Sequence, residues 1–119
     1  MGMAGTPLFN RIRYKTWVKV ILDQGAGLLG NIEDISATTL GMELDKPVSP
    51  GGMGTIYFML PLDGQEHIIQ ARCRIAACQP AVTPKRFHIE LALLDLDRST
   101  TRLIDAFVHF LTGHPESRR

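Results

Sequence analysis

Residues 67–77 read HIIQARCRIAA, and the alternation within them sets the fold class. The odd positions His67, Ile69, Ala71, Cys73, Ile75 and Ala77 are mostly apolar, while Gln70, Arg72 and Arg74 take even ones. A period of two with one dry and one wet side is the pattern of a half-buried strand. Upstream, Ile56, Phe58 and Leu60 repeat it, and Asp63-Gly64 between the two runs is a strong hairpin signal. Downstream, Phe87, Ile89, Leu91 and Leu93 alternate with Arg86, His88 and Glu90. Val18, Val20 and Leu22 form a further stripe, and Leu40, Met42 and Leu44 another; Leu28 to Ile35 is a less regular sixth candidate. Turn residues separate these runs at Asp23–Gly27, Asp45–Gly52 and Pro80–Pro84. Near Asp97 the period changes. Leu103, Ile104, Phe107, Val108 and Leu111 make one stripe of an α-helix over 99–112, with Asp97 or Ser99 to cap its start and Gly113 to end it. The expectation is a mainly β, α+β domain: a six-stranded antiparallel barrel with a C-terminal amphipathic helix.

The chain has 119 residues, 45% hydrophobic and 21% charged, which suits one folded domain rather than a disordered chain. We expect a flexible basic leader over 1–14, a barrel-and-helix domain over 15–112 and a tail over 113–119. The start, MGMAGTPLFNRIR, has no apolar signal core, and no run approaches the ~20 apolar residues of a membrane span. The expected location is therefore cytoplasmic. Thirteen Lys and Arg against twelve Asp and Glu leave a net charge of +1, which argues against a domain-wide nucleic-acid surface. Cys73 and Cys78 are five positions apart on one strand, so they are expected on opposite faces about 16 Å apart, as free thiols.

Two segments carry candidate chemistry. No acid precedes Asp23, yet Arg11, Arg13, Lys15 and Lys19 lie there among Phe9, Tyr14 and Trp17. Guanidinium groups beside aromatic rings suit a ligand with phosphates and flat bases; the plainer reading is a solvated leader and a strand with lysine outward. The second segment is Asn31–Leu44, NIEDISATTLGMEL. Asp34 and Ser36, two apart, share one side of an extended chain, where they could accept from a base edge or orient an arginine. The plainer reading is a side-chain-capped turn between two strands. His67, His88, His109 and His114 have no nucleophile at motif spacing, and no Gly-rich loop opens a helix, so we expect no enzyme.

Taken in order, the basic leader, a first strand, a second ending in DIS, then TLGMEL, IYFMLPL, FHIELALLDLD and a helix resemble the PilZ domain family over about residues 8 to 112. The family's hallmarks are an RxxxR leader and a DxSxxG turn. The resemblance implies a receptor for the bacterial messenger cyclic di-GMP: the leader's arginines grip phosphate and guanine, and the Asp and Ser contact the nucleotide from the barrel surface. Asp34-Ile35-Ser36 match the start of the second motif, and Leu40-Gly41-Met42 its usual continuation. The implied ligand-binding set is Arg11, Arg13, Lys15, Asp34, Ser36 and Thr39. Thr39 stands where the motif glycine falls and Thr38 where a second glycine is frequent, so a turn needing positive φ would have to take another shape here. The leader departs too: counting back from Arg13 reaches Phe9, from Arg11 reaches Pro7, and forward from Arg11 reaches Lys15. Two expectations follow. One is a non-enzymatic receptor that binds cyclic di-GMP and relays it to an effector protein. The other is an adaptor without nucleotide binding, acting through helix 99–112 and exposed apolar residues. Neither calls for a cofactor, a metal, nucleic acid or a membrane span, and a homodimer stays open.

Overall fold

The computed structural model describes residues 12–13, 16–82 and 85–113. Each alternating run forms a strand with its apolar side inward. In chain order these are β1 (Ile12–Arg13), β2 (Trp17–Leu22), β3 (Gly27–Ile35), β4 (Thr39–Leu44), β5 (Met53–Leu62), β6 (Gln65–Pro80) and β7 (Phe87–Leu94), followed by helix α1 (Arg98–Gly113). The long strands lie in the order β3-β2-β5-β6-β7-β4, all neighbours antiparallel, and β4 pairs back onto β3. That last pairing closes a six-stranded barrel, which leaves no long edge to template aggregation. Val18, Val20, Ile56, Phe58, Leu60, Ile69, Ile75, Ile89 and Leu91 fill the interior. Asp63 and Gly64, with φ of 54° and 76°, make the two-residue turn between β5 and β6. Positive φ at both positions matches the strands' right-handed twist.

Two β-bulges explain where strict alternation fails. In β3 the register shifts between Ile32 and Asp34, so Ile32 and Ile35, three apart, both point into the core. In β6 it shifts between Ile75 and Ala77, which places Cys78 opposite fully buried Ile89. Cys78 therefore packs against the same interior as Cys73, and the expectation of opposite faces is corrected: one extra residue restores the common side. Burial pushes the Cys73 thiol up to about 11, which leaves on the order of one thiolate in ten thousand at pH 7. In the native protein an aromatic disulfide reagent is expected to label Cys78 first and Cys73 only at the rate of unfolding. Equal native rates at both would contradict that.

Asp97 starts the helix. Its Oδ1 accepts from the Thr100 backbone N–H at 2.7 Å and the Ser99 hydroxyl at 3.0 Å, satisfying donors that the first turn leaves unpaired. Ile104 and Phe107 are buried and Leu103, Val108 and Leu111 pack beside them, while α1 touches β5 and β1. The helix thus spends its apolar stripe on the barrel. Hydrogen bonds from Thr100, then Ser99, hold the Asp97 carboxyl below its ordinary value of 3.8. A depressed folded-state pKa contributes stability above the unfolded value, lost as pH falls through the folded one. Asp97→Asn, which keeps an acceptor but not the charge, is expected to lower Tm slightly at pH 7, to converge with wild type at low pH, and so to flatten the fall of Tm below about pH 4. An unchanged acid limb in the melting series would refute this.

Candidate functional site

The second motif lies where β3 hands over to β4. Ser36 is only 7% exposed, and its hydroxyl is used inside the turn. It accepts from the Thr39 N–H at 3.1 Å and lies 2.7 Å from the Thr39 hydroxyl, with the Thr38 N–H at 3.4 Å. The Ser36 N–H donates to the Thr39 carbonyl at 2.9 Å, and the Thr38 carbonyl accepts from Leu93 on β7. The side-chain-capped turn is therefore real. Thr39 solves the problem of the missing glycine by being the first residue of β4, paired with Ala92. Among the described non-glycine residues only Asp63, Lys85 and Asp95 have positive φ, so nothing here demands a glycine.

Asp34 sits just before this turn with its side chain half-buried on the barrel's outer side, since both Ile32 and Ile35 point inward. Its backbone pairs with Gly41 of β4 on one edge and with Arg13 of β1 on the other. A strand has two edges, so β1 takes the one that β2 uses further along. On that edge β1 brings the backbone of Arg13 into register with Asp34. Gly41 pairs in turn with Glu90, and Glu90 with Ala77. From Asp34 one outer row thus runs to Gly41, Glu90 and Ala77, with Gly41 buried between the two carboxylate-bearing residues. Arg11 and Lys15 lie outside the described residues.

Several neighbours of this row could not be nominated from sequence, because cross-strand register decides them. His88 Nδ1 is 2.8 Å from Glu33, its Nε2 is 3.5 Å from Glu90, and Arg86 bonds Glu43 at 3.1 Å. Of these contacts, Arg86 balances the charge of Glu43. Thr39, Ala92 and Arg74 form the adjacent row across β4, β7 and β6. Arg74 is exposed and has no ion pair among the described residues, whereas Arg72 grips Asp23 with two nitrogens at 2.8 and 2.9 Å. The described residues thus set the Asp34 and Glu90 carboxylates beside an exposed arginine on this surface.

Against protein-family models the chain matches the PilZ domain over residues 8–110. The chain belongs to the PilZ domain family. Solved structures agree on the fold. The Bacillus subtilis inhibitor of motility MotI/DgrA superposes with a TM-score of 0.70 at 13% identity over 92% of this chain and 51% of its own. This chain therefore spans about half the length of that relative. The PilZ domain of Escherichia coli YcgR, solved with c-di-GMP, gives 0.68 at 13% identity, covering 91% of this chain and 92% of its own. A tetrameric PilZ protein from Xanthomonas campestris, assembled through a helical bundle, gives 0.56 at 16% identity over 75% and 47%. No curated protein matches in sequence. Among the described residues no helix is long and apolar enough to cross a membrane.

Proposed function

We propose that this PilZ domain is a non-enzymatic receptor for cyclic di-GMP that passes the signal to an effector protein in the cytoplasm. The observation that carries the reading is the register of β1 on β3, which sets Arg13 beside Asp34 at the edge of the Ser36–Thr39 turn. Family membership and the nucleotide in the YcgR domain support it. On this reading the leader, residues 1–14, folds over the nucleotide, with Arg11, Arg13 and Lys15 on phosphate and guanine. Asp34 accepts from the guanine edge. Ser36 and Thr39 hold the turn, and Thr39 offers its hydroxyl at the rim. Ordering the leader is the switch that an effector would sense.

Calorimetric titration with cyclic di-GMP, with cyclic di-AMP and GTP as controls, tests the reading. Selective binding at micromolar affinity or tighter, weakened at least ten-fold in Arg13→Ala, is the expected result. No heat, and no rise in Tm at millimolar nucleotide, would overturn it. One observation favours the second reading, a PilZ adaptor that acts without nucleotide: the Ser36 hydroxyl is nearly buried and already satisfied by Thr39. Absence of binding in the titration would select that reading.

A further inference from the structure

The barrel side formed by β2, β5 and β6 carries a second surface. Its outer rows follow from register. Leu29, Lys19, Tyr57 and Gln70 form one, and Pro61 and Glu66 another. Between them run Asn31 and Trp17, then Met59 and Ile68; the pairing of Val18 with Phe58 sets Trp17 next to Met59. Leu29 is 73% exposed, Ile68 61% and Trp17 40%, with Ile21 also open. Large apolar side chains clustered on one face, rather than scattered singly, mark an interaction site. Only two charged residues lie within these rows, Lys19 and Glu66, and neither has an ion pair among the described residues.

Their positions are related by symmetry. Lys19 lies on β2, two residues to one side of the Trp17–Met59–Ile68 row; Glu66 lies on β6, two residues to the other side. Because β5 runs between β2 and β6, Met59 is the midpoint of the Lys19–Glu66 diagonal. A two-fold axis lying in the face at Met59, perpendicular to that diagonal, exchanges the two charges. The same rotation lays Ile68 near the partner's Tyr57 and Trp17 near the partner's Pro61. An isologous interface must be self-complementary in this way.

We propose that this face binds a second copy of the chain, with Lys19 of each protomer against the partner's Glu66 around an apolar centre of Trp17, Tyr57, Met59 and Ile68. The face is built from residues of β2, β5 and β6 other than those given to the nucleotide, so the proposal does not rest on nucleotide binding. Two convex barrels meet over a limited area, near the ~1,200 Å² lower bound of stable interfaces, so dissociation in the micromolar range is expected.

Sedimentation velocity of the full chain without nucleotide, from about 1 to 500 µM, provides the test, and far-UV circular dichroism checks each variant's fold. The wild type is expected to dimerise with concentration, and the chain's single tryptophan, Trp17, to shift its emission to the blue in step. Lys19→Glu and Glu66→Lys are each expected to weaken association at least ten-fold, and the double variant to restore it. Ile68→Glu should give a folded monomer, and Arg102→Glu on the helix should change nothing. A wild type monomeric at 500 µM would overturn the proposal. So would a dimer that survives both single reversals, or a double variant that stays monomeric.

Discussion

Gly54→Ala is expected to cost roughly 3 kcal/mol or more, at the upper end of what overpacking a core does and a large part of a typical domain's 5–15 kcal/mol. A Cβ on Gly54 would lie 2.6 Å from the Ile21 carbonyl oxygen and 3.0 Å from the Leu22 Cα. Both atoms are backbone of β2, the strand to which Gly54 is paired at Leu22. No rotamer change relieves the clash; either β2 moves away from β5 or the pairing breaks. Gly30 is in the same position on the other side of β2, where a Cβ would meet the Glu43 carbonyl oxygen and crowd Leu44 and Met42. Both glycines sit where a small barrel bends its strands close together. Gly27 is the control, since a Cβ there meets nothing within 4 Å, and its alanine variant should stay within about 0.5 kcal/mol of wild type. Urea melts of the three variants decide the matter. A Gly54→Ala midpoint no lower than that of Gly27→Ala would show that the strands yield more easily than this packing implies.

That contrast also shows what kind of information a single sequence carries. Val18, Val20 and Leu22, or Ile56, Phe58 and Leu60, announce their strands because burial on one side imposes a period of two. The bulges are invisible to the same reasoning. Around Ile75-Ala76-Ala77-Cys78 every residue is small or apolar, so a one-residue slip leaves the pattern plausible on either side and Cys78 is assigned outward. In β3 the slip at Glu33 appears only as irregularity. Gly30 and Gly54 are likewise silent, because what they need is set by a neighbouring strand's carbonyl. The candidate site divides along the same line. Asp34 and Ser36 stand out as a local motif, and Thr38 and Thr39 as departures from it. Glu90, His88 and Arg74 join the same surface only through pairings between strands far apart in sequence. Thr39 would be costly if the glycine position needed unusual backbone geometry. It is ordinary strand, and its hydroxyl helps to close the turn.

On the receptor reading, Asp34→Ala is the variant with the largest expected effect on affinity. Asp34 is paired with Arg13 on one edge of β3 and with Gly41 on the other, and on this reading its carboxylate both accepts from a guanine edge and orients a leader arginine. A hydrogen bond to a charged group contributes roughly 1.5–3 kcal/mol, and each 1.4 kcal/mol is about ten-fold in affinity. The expected loss is therefore ten- to a hundred-fold. Asp34→Asn separates charge from shape: it keeps one acceptor, so a loss close to that of alanine assigns the effect to the negative charge. Ser36→Ala should behave differently. Its hydroxyl is committed to Thr39, so the variant is expected to lose about 1 kcal/mol of stability and to weaken binding less than Asp34→Ala does. Thermal shifts give an independent reading. A ligand at a hundred times its Kd stabilises the native state by about 2.7 kcal/mol, and Asp34→Ala protein at the same nucleotide concentration should gain between about one-seventh and about half of that. If wild type binds and Asp34→Ala binds within two-fold of it, the nucleotide sits elsewhere on the barrel and the β1–β3 junction is structural alone.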